Sequence, residues 1–315
     1  MTSSALGAPA RKDATASAPR RGAALRRRRR LIAWAFVAPL LIVNLLVITG
    51  PGTASILMSF TDWDGLNSPS FVGLANYAEL FRADAVLNAL WHNVIWTLFF
   101  LVVPMAMGLL GAFVLSRLGR GQIVFRVLYF IPYVLATVIS AAIWRQIMDP
   151  DGGIGDALAG IGIPFLADVN FLGNPSLALG SVAFVNTWQW WGFLLVIFLA
   201  AMQAVEPSLY EAAKLDGAGP VREFWSITLP SIRPTFVFLA LMTIIWSFLV
   251  FDYIYVLTQG GPAGSTDVLS TVLYREAFEN RRQGYASAIA MLLSVISAVT
   301  VIGYLVLRRR LKWDV

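Results

Sequence analysis

The chain contains no cysteine and a single histidine, His92. Without a thiol there is no disulfide framework, no thiolate metal site and no cysteine nucleophile, and one imidazole is too few for a histidine-built metal centre. Lysine is almost as scarce: Lys12, Lys214 and Lys312 are followed by Asp13, Leu215 and Trp313. A phosphate-gripping P-loop requires Lys followed by Ser or Thr, so this polypeptide carries no ATPase loop of its own. Charge is sparse, at 13% of residues. The acids Asp149, Asp151, Asp156 and Asp168 lack the ligand spacing of a calcium loop, and Asp149-Pro150-Asp151-Gly152-Gly153 reads as turn chemistry.

What fills the chain instead is hydrocarbon. Apolar residues make up 58% of the sequence and mean hydropathy is +0.70, values that belong to a polytopic membrane protein. A bilayer-crossing helix takes about 20 residues. Segments of that kind fall at 31–50, 91–115, 127–147, 178–202, 235–257 and 285–307, which predicts an all-α bundle of six spans over residues 31–310. Pro104 and Pro132 predict kinks in the second and third, tolerated where neighbouring helices re-satisfy the backbone. The first contains Pro39 and is followed by Gly50-Pro51-Gly52, so it is expected to run on as a broken helix toward Phe60.

Residues 1–30, rich in Ala, Ser, Pro and Arg, are expected to form a basic arm without fixed structure, and 311–315 a short tail. The run Arg26–Arg30 also resembles the start of a signal peptide. The apolar segment behind it is too long and has no small-residue cleavage site close by, so a solvated arm held near anionic lipid is preferred. Nineteen of the 24 Lys and Arg fall on one side of the predicted topology, in the arm, around Arg117–Arg126, in 206–234 and in the tail. The positive-inside rule therefore places both termini in the cytoplasm and accounts for the +6 formal charge without a nucleic-acid partner.

The one long polar interruption in the second half is Glu206–Pro234. It reads as two short helices around a turn. Pro207 and a Ser208/Glu211 capping box start the first, and Gly217 stops it in the left-handed region. Pro220 opens the second and Pro230 closes it. Glu211-Ala212-Ala213, then Gly217, Ile227 and Leu229-Pro230 resemble, at the same spacing, the EAA loop of the membrane subunits of ATP-binding-cassette importers. Phe71-Val72-Gly73-Leu74-Ala75-Asn76-Tyr77 and Thr258-Gln259-Gly260-Gly261-Pro262, with Gly284-Tyr285-Ala286-Ser287-Ala288, are similar to segments of the carbohydrate class, of the maltose, glycerol-phosphate and oligosaccharide type.

This resemblance implies the type I importer permease fold in a bacterial plasma membrane. It implies a second, related permease as partner, two separate ATPase subunits and an external solute-binding protein that delivers a sugar or glycerol derivative. ATP and magnesium would be held by the ATPase, with no cofactor or metal in this chain and no bond chemistry performed by it. Carried over residue by residue, Glu211, Ala212, Ala213, Asp216 and Gly217 are the expected ATPase-coupling positions. A second reading of Glu211 is simple helix capping. Arg222, Glu223 and Arg233 are read as a solvated face.

Candidates for the substrate path come from polar and aromatic residues inside spans. Asp252 is the one acid well within an apolar segment, where a charge costs roughly 2.5–3.5 kcal/mol and should face protein or water. The other reading puts it half solvated near the outer end. Asn186, Gln189 and Trp190, in Asn186-Thr187-Trp188-Gln189-Trp190-Trp191, and Tyr253 combine amides with aromatic faces suited to sugars. Indoles also anchor spans at the membrane interface, and His92 is read the same way. A secondary transporter driven by an ion gradient is the alternative, but such proteins carry several intramembrane ionisable groups and this chain has essentially Asp252.

Overall fold

The structure is a computed structural model that describes residues 19–119, 121–164 and 169–310, with side chains from Arg28 onward. The chain divides into two compact units, 1–54 and 55–315.

The first unit is built from helix α1 (Pro19–Asn44), a π-turn over Leu45–Thr49 and the start of α2 (Gly50–Met58). Residues 19–30, expected to lack structure, are helical. Alanine and arginine are strong helix formers, and Pro19 occupies the first helical position, where its missing N–H costs nothing. The arm's first 18 residues lie outside the described residues. The Gly50-Pro51-Gly52 triplet does not stop the helix: the wider π-turn ahead of it, closed by Gly50 N–H to Leu45 O, accommodates the proline. The apolar run Arg28–Met58 is 31 residues long with mean hydropathy 2.6, enough to cross a bilayer.

The second unit contains α3 (Ala75–Leu80), α4 (Asp84–Ser116), α5 (Gln122–Val134), α6 (Thr137–Ile147), α7 (Ile154–Gly160), α8 (Ala178–Gln203) and α9 (Pro207–Leu215). It continues through α10 (Pro220–Ser231), α11 (Arg233–Phe248), α12 (Asp252–Leu257), α13 (Leu269–Tyr274) and α14 (Gln283–Arg310). Among the described residues the one β feature is an isolated bridge between Thr61 and Phe71. Also among the described residues, four helical segments are long and apolar enough to span a membrane unbroken, and two bent pairs bring the total to six when each pair counts as one.

The bent pairs correct the expected third and fifth spans. The third is α5 plus α6, turned by 93° at Leu135-Ala136, both in extended conformation. Pro132 is followed by two more helical residues, Tyr133 and Val134, before the break. The fifth differs more: α10 and α11 meet at 72° around Ile232, α11 ends at Phe248, and 249–251 separate it from α12. An expected single helix over 235–257 is thus two, and neither Gly nor Pro marks the break.

α4 runs through the three clusters of buried side chains. Its Val86 and Ala89 pack with Phe248, Leu269 and Ile289. Trp96 and Phe100 pack with Val185, Ile254 and Val268. Met105, Leu109 and Ala112 pack with Leu194, Phe198 and Phe224. Small residues set the helix spacing, as expected where lipid gives helices no hydrophobic drive to associate. A Cβ on Gly108 would lie 2.7 Å from the Leu194 Cβ, and one on Gly192 would lie 1.9 Å from the Tyr129 carbonyl oxygen of α5.

Near the start of α14, distant segments are clasped. Gly284 N–H donates to Trp63 O at 2.9 Å, and Asn76 Nδ2 donates to Ser59 O and Thr61 O at 2.9 and 2.8 Å. Arg282 pairs with Glu79 at 2.6 Å. The FVGLANY and GYASA segments therefore form one structural unit. A Cβ on Gly284 would sit 1.9 Å from Thr61 O. Farther along, buried Asp267 accepts from Arg275 at 2.8 Å, and this bond holds the Arg275 guanidinium above its ordinary range.

Gly192→Ala is expected to push α5 away from α8 and to cost about 1–3 kcal/mol of packing. It should lower the melting temperature of the detergent-purified protein, whereas Gly180→Ala, with open space around its Cβ, should leave it within error.

Candidate functional site

The two helix breaks face one cavity of about 540 Å³, lined from α4, α5, α6, α8, α11 and α12, within the ~300–1,000 Å³ range of small-ligand sites. All five residues singled out for the substrate path line it: Asn186, Gln189, Trp190, Asp252 and Tyr253. The sequence reading placed Asp252 inside a continuous helix. The structure puts it instead at the first position of α12, directly after the break and exposed.

Backbone interrupted at membrane depth must find hydrogen bonds inside the protein or in a wet cavity. Gln189 Nε2 donates to Leu135 O, the carbonyl orphaned at the α5/α6 bend, at 2.5 Å. At the second break the Ser270 hydroxyl donates to Val250 O, and Asn93 Nδ2 donates to Ser247 O at 3.0 Å. Gln189 therefore has a structural task as well as a place on the cavity wall. Asn93, fully buried, also accepts from Leu269 N–H at 2.9 Å. It was not singled out from the sequence, although an amide within an apolar span was the available signal. Its neighbour His92 is half-buried, with Nδ1 at 2.8 Å from Asp267 O.

The three indoles that flank Gln189 reach different places. Trp188 packs edge-on against Trp144 of α6, and Trp191 against Tyr129 of α5. Trp190 packs against Trp246 at 4.3 Å between ring centroids and near Tyr133, so of the three it is the one on the cavity wall. Two buried hydroxyls on that wall lack partners. Thr243 Oγ1 has none, and Tyr253 Oη sits beside Asn186 and Thr137 without completing a hydrogen bond to either.

The elbow follows α8. Gly217 adopts φ +74°, and a Schellman pair closes α9: Ala218 N–H to Ala213 O at 2.9 Å and Gly217 N–H to Lys214 O at 3.1 Å. Pro207 is at the first turn as expected, but the Ser208/Glu211 capping box does not form. Glu206 is the N-cap residue, and Ser208 Oγ donates to Glu206 Oε1 at 2.7 Å. Glu211 therefore lies mid-helix and does not cap α9. Glu211, Ala212, Asp216 and Gly217 are exposed and Ala213 half-buried. Beside them stand Leu215, 90% exposed, and two apolar side chains that sequence reasoning did not single out, Val221 and Trp225. α10 continues to Ser231, one residue past Pro230, its Phe224–Thr228 stretch wound as a π-turn.

Glu223 corrects another expectation. It is 3% exposed rather than part of a solvated face and forms an ion pair with Arg117 at the end of α4. Arg117 also lies 4.4 Å from the centre of the Phe113 ring, which packs edge-on against Phe224. Arg222 is exposed, as expected. Among the outer acids, Asp149 accepts from Asp151 N–H at 2.9 Å, the turn chemistry read from sequence; Asp168 lies outside the described residues.

The sequence of the family described as "binding-protein-dependent transport system inner membrane component" matches residues 104–313. The chain belongs to this family. Its relatives include the probable ABC transporter permease protein YurN of Bacillus subtilis, 35% identical over 85% of this chain and 92% of that one. Another is the diacetylchitobiose uptake system permease protein NgcF of Streptomyces coelicolor, 33% identical over 84% and 78%. A crystal structure of a bacterial ABC transporter involved in the import of the acidic polysaccharide alginate contains a chain of the same fold. That chain matches with TM-score 0.80 and 25% identity over 90% of this chain and 96% of the other. A binding-protein-dependent permease is a transport component rather than an enzyme, and membership decides against the ion-gradient alternative.

Arg117→Leu in this permease leaves the Glu223 carboxylate buried without a counter-charge, which costs about 3–5 kcal/mol. Glu223→Leu leaves a guanidinium that is one-third exposed and should cost less. Thermal unfolding of the two single variants and the double variant is expected to show Arg117→Leu as the most damaging of the three.

Proposed function

We propose that this chain is one permease subunit of an ATP-driven importer of carbohydrate, with its mid-bundle cavity forming half of the path. A second, related permease completes the pathway, two ATPase subunits bind at the elbow, and an external solute-binding protein delivers the sugar. ATP and magnesium belong to the ATPase subunits. Neither cofactor nor nucleic acid is a partner of this polypeptide. The positive-inside charge bias orients the elbow and both termini to the cytoplasm.

The observation that carries the coupling role is the elbow's surface. Glu211, Ala212 and Asp216 lie in solvent beside the exposed Leu215 and Val221, a small, acidic and apolar face fitted to a groove on another protein. Ala213 and Gly217 set its shape. Arg117–Glu223 and Phe113–Phe224 join the elbow to α4, whose Trp96 and Phe100 line the cavity. About 25 Å of helix separates the two ends at 1.5 Å per residue. Closing of the ATPase dimer on ATP moves the elbow as a rigid body, and the spans rock to expose the cavity on the other side. Asn186 offers an amide to sugar hydroxyls, Trp190 an aromatic face, Tyr253 a hydroxyl and Asp252 a carboxylate, while Gln189 holds the wall in shape. The relatives named for diacetylchitobiose and alginate support carbohydrate as the cargo.

Uptake into membrane vesicles should stop when ATP is withheld and persist with a protonophore; the reverse pattern refutes the reading. Glu211→Lys and Gly217→Val should insert and fold normally yet lose at least about 90% of uptake and of ATPase pull-down. The left-handed backbone at 217 disfavours a β-branched residue by at least about 1 kcal/mol, although nothing lies within 4 Å of a Cβ there.

A further inference from the structure

Of the seventeen residues lining the central cavity, one carries a formal charge, and it is an acid, Asp252. No lysine, arginine or histidine reaches the wall. Asp252 has no ion-pair partner among the described residues. Arg145 lines a different cavity and directs its guanidinium to Val256 O at 3.3 Å. The remaining polar wall is neutral, with the Asn186 amide, the Thr137 and Ser247 hydroxyls, and the Thr243 and Tyr253 hydroxyls, which are 2% and 4% exposed and unpartnered.

From this wall we infer that the subunit's half of the path accepts neutral and amino sugars and turns away uronate- or phosphate-bearing ones. The inference rests on the cavity being the sugar path. Buried, unpaired hydroxyls gain from a ligand that brings hydroxyls or amides of its own. A carboxylate about 6 Å from a like charge at an effective dielectric near 20 costs about a hundredfold in affinity, and the same geometry favours an ammonium by a similar factor. An anionic glycan entering this cavity meets no base to offset that repulsion. The alginate importer named above takes an acidic polysaccharide, the class of cargo that this wall is inferred to turn away.

The test uses the purified full-length chain in detergent at about pH 6, where sugar amines are protonated. Trp96, Trp190 and Trp246 on the wall provide a fluorescence signal. Three disaccharides are titrated: N,N′-diacetylchitobiose (neutral), its deacetylated diamine (cationic) and a dimer of mannuronic acid (anionic). The diamine should bind at least tenfold more tightly than the diuronate. Asp252→Asn should bring that ratio to within threefold, and Asp252→Arg should invert it. Equal affinity for the two charged sugars, or an unchanged ratio in Asp252→Asn, overturns the inference. If no sugar of any charge quenches the indoles, the cavity's role as the path falls with it. ATP-dependence of vesicle uptake is scored separately, so failure of the importer reading is distinguishable from failure of this one.

Discussion

A peptide group surrounded by hydrocarbon has nowhere to turn but to its own protein, and this rule governs where the bundle can break. The interruptions at Leu135-Ala136 and at 249–251 are repaired by side chains from elsewhere. Gln189 of α8 serves the Leu135 carbonyl, while Asn93 of α4 and Ser270 of α13 serve Ser247 and Val250. The cavity lies where the breaks do, and the breaks persist because those three side chains satisfy them.

The same economy appears at the elbow. α10 is held by a carboxylate sunk against the end of α4 and by an aromatic edge contact, Phe113 with Phe224. α9 is tied to it through Tyr210 and Thr228, 3.1 Å apart. The side chains that face outward on α9 are thus free of intramolecular duty, while Tyr210 connects it, through α10, to the 33-residue helix α4. Between that end of α4 and Trp96 and Phe100 on the cavity wall the helix is unbroken, with no loop interposed.

Much of this was legible in the amino-acid sequence because the relevant signals are local. Hydrophobic run length located the spans, and the left-handed turn at Gly217 followed from its place between two short helical patterns. The five residues singled out for the substrate path, which share one cavity, stood out because polar groups in apolar segments are rare. What failed was non-local. Glu223 reads as a surface acid until its partner, 106 residues away in sequence, is known. The break at 249–251 has no glycine or proline because its stability comes from Asn93 and Ser270, not from the segment that bends. The Ser208/Glu211 pair has the right spacing for a box, but the helix starts two residues early, at Pro207, and Glu206 takes the cap.

Gly284 lies so close to Thr61 that no methyl group fits between them, and its N–H is bonded to Trp63. Residues in the first fifth of the chain thus depend on residues near its end for their final partners. During synthesis, the segment around Trp63 leaves the ribosome long before the last span does. Until that span arrives, the translocon, lipid or water has to stand in for it, and a chain released early would have its spans in place but that end unlatched.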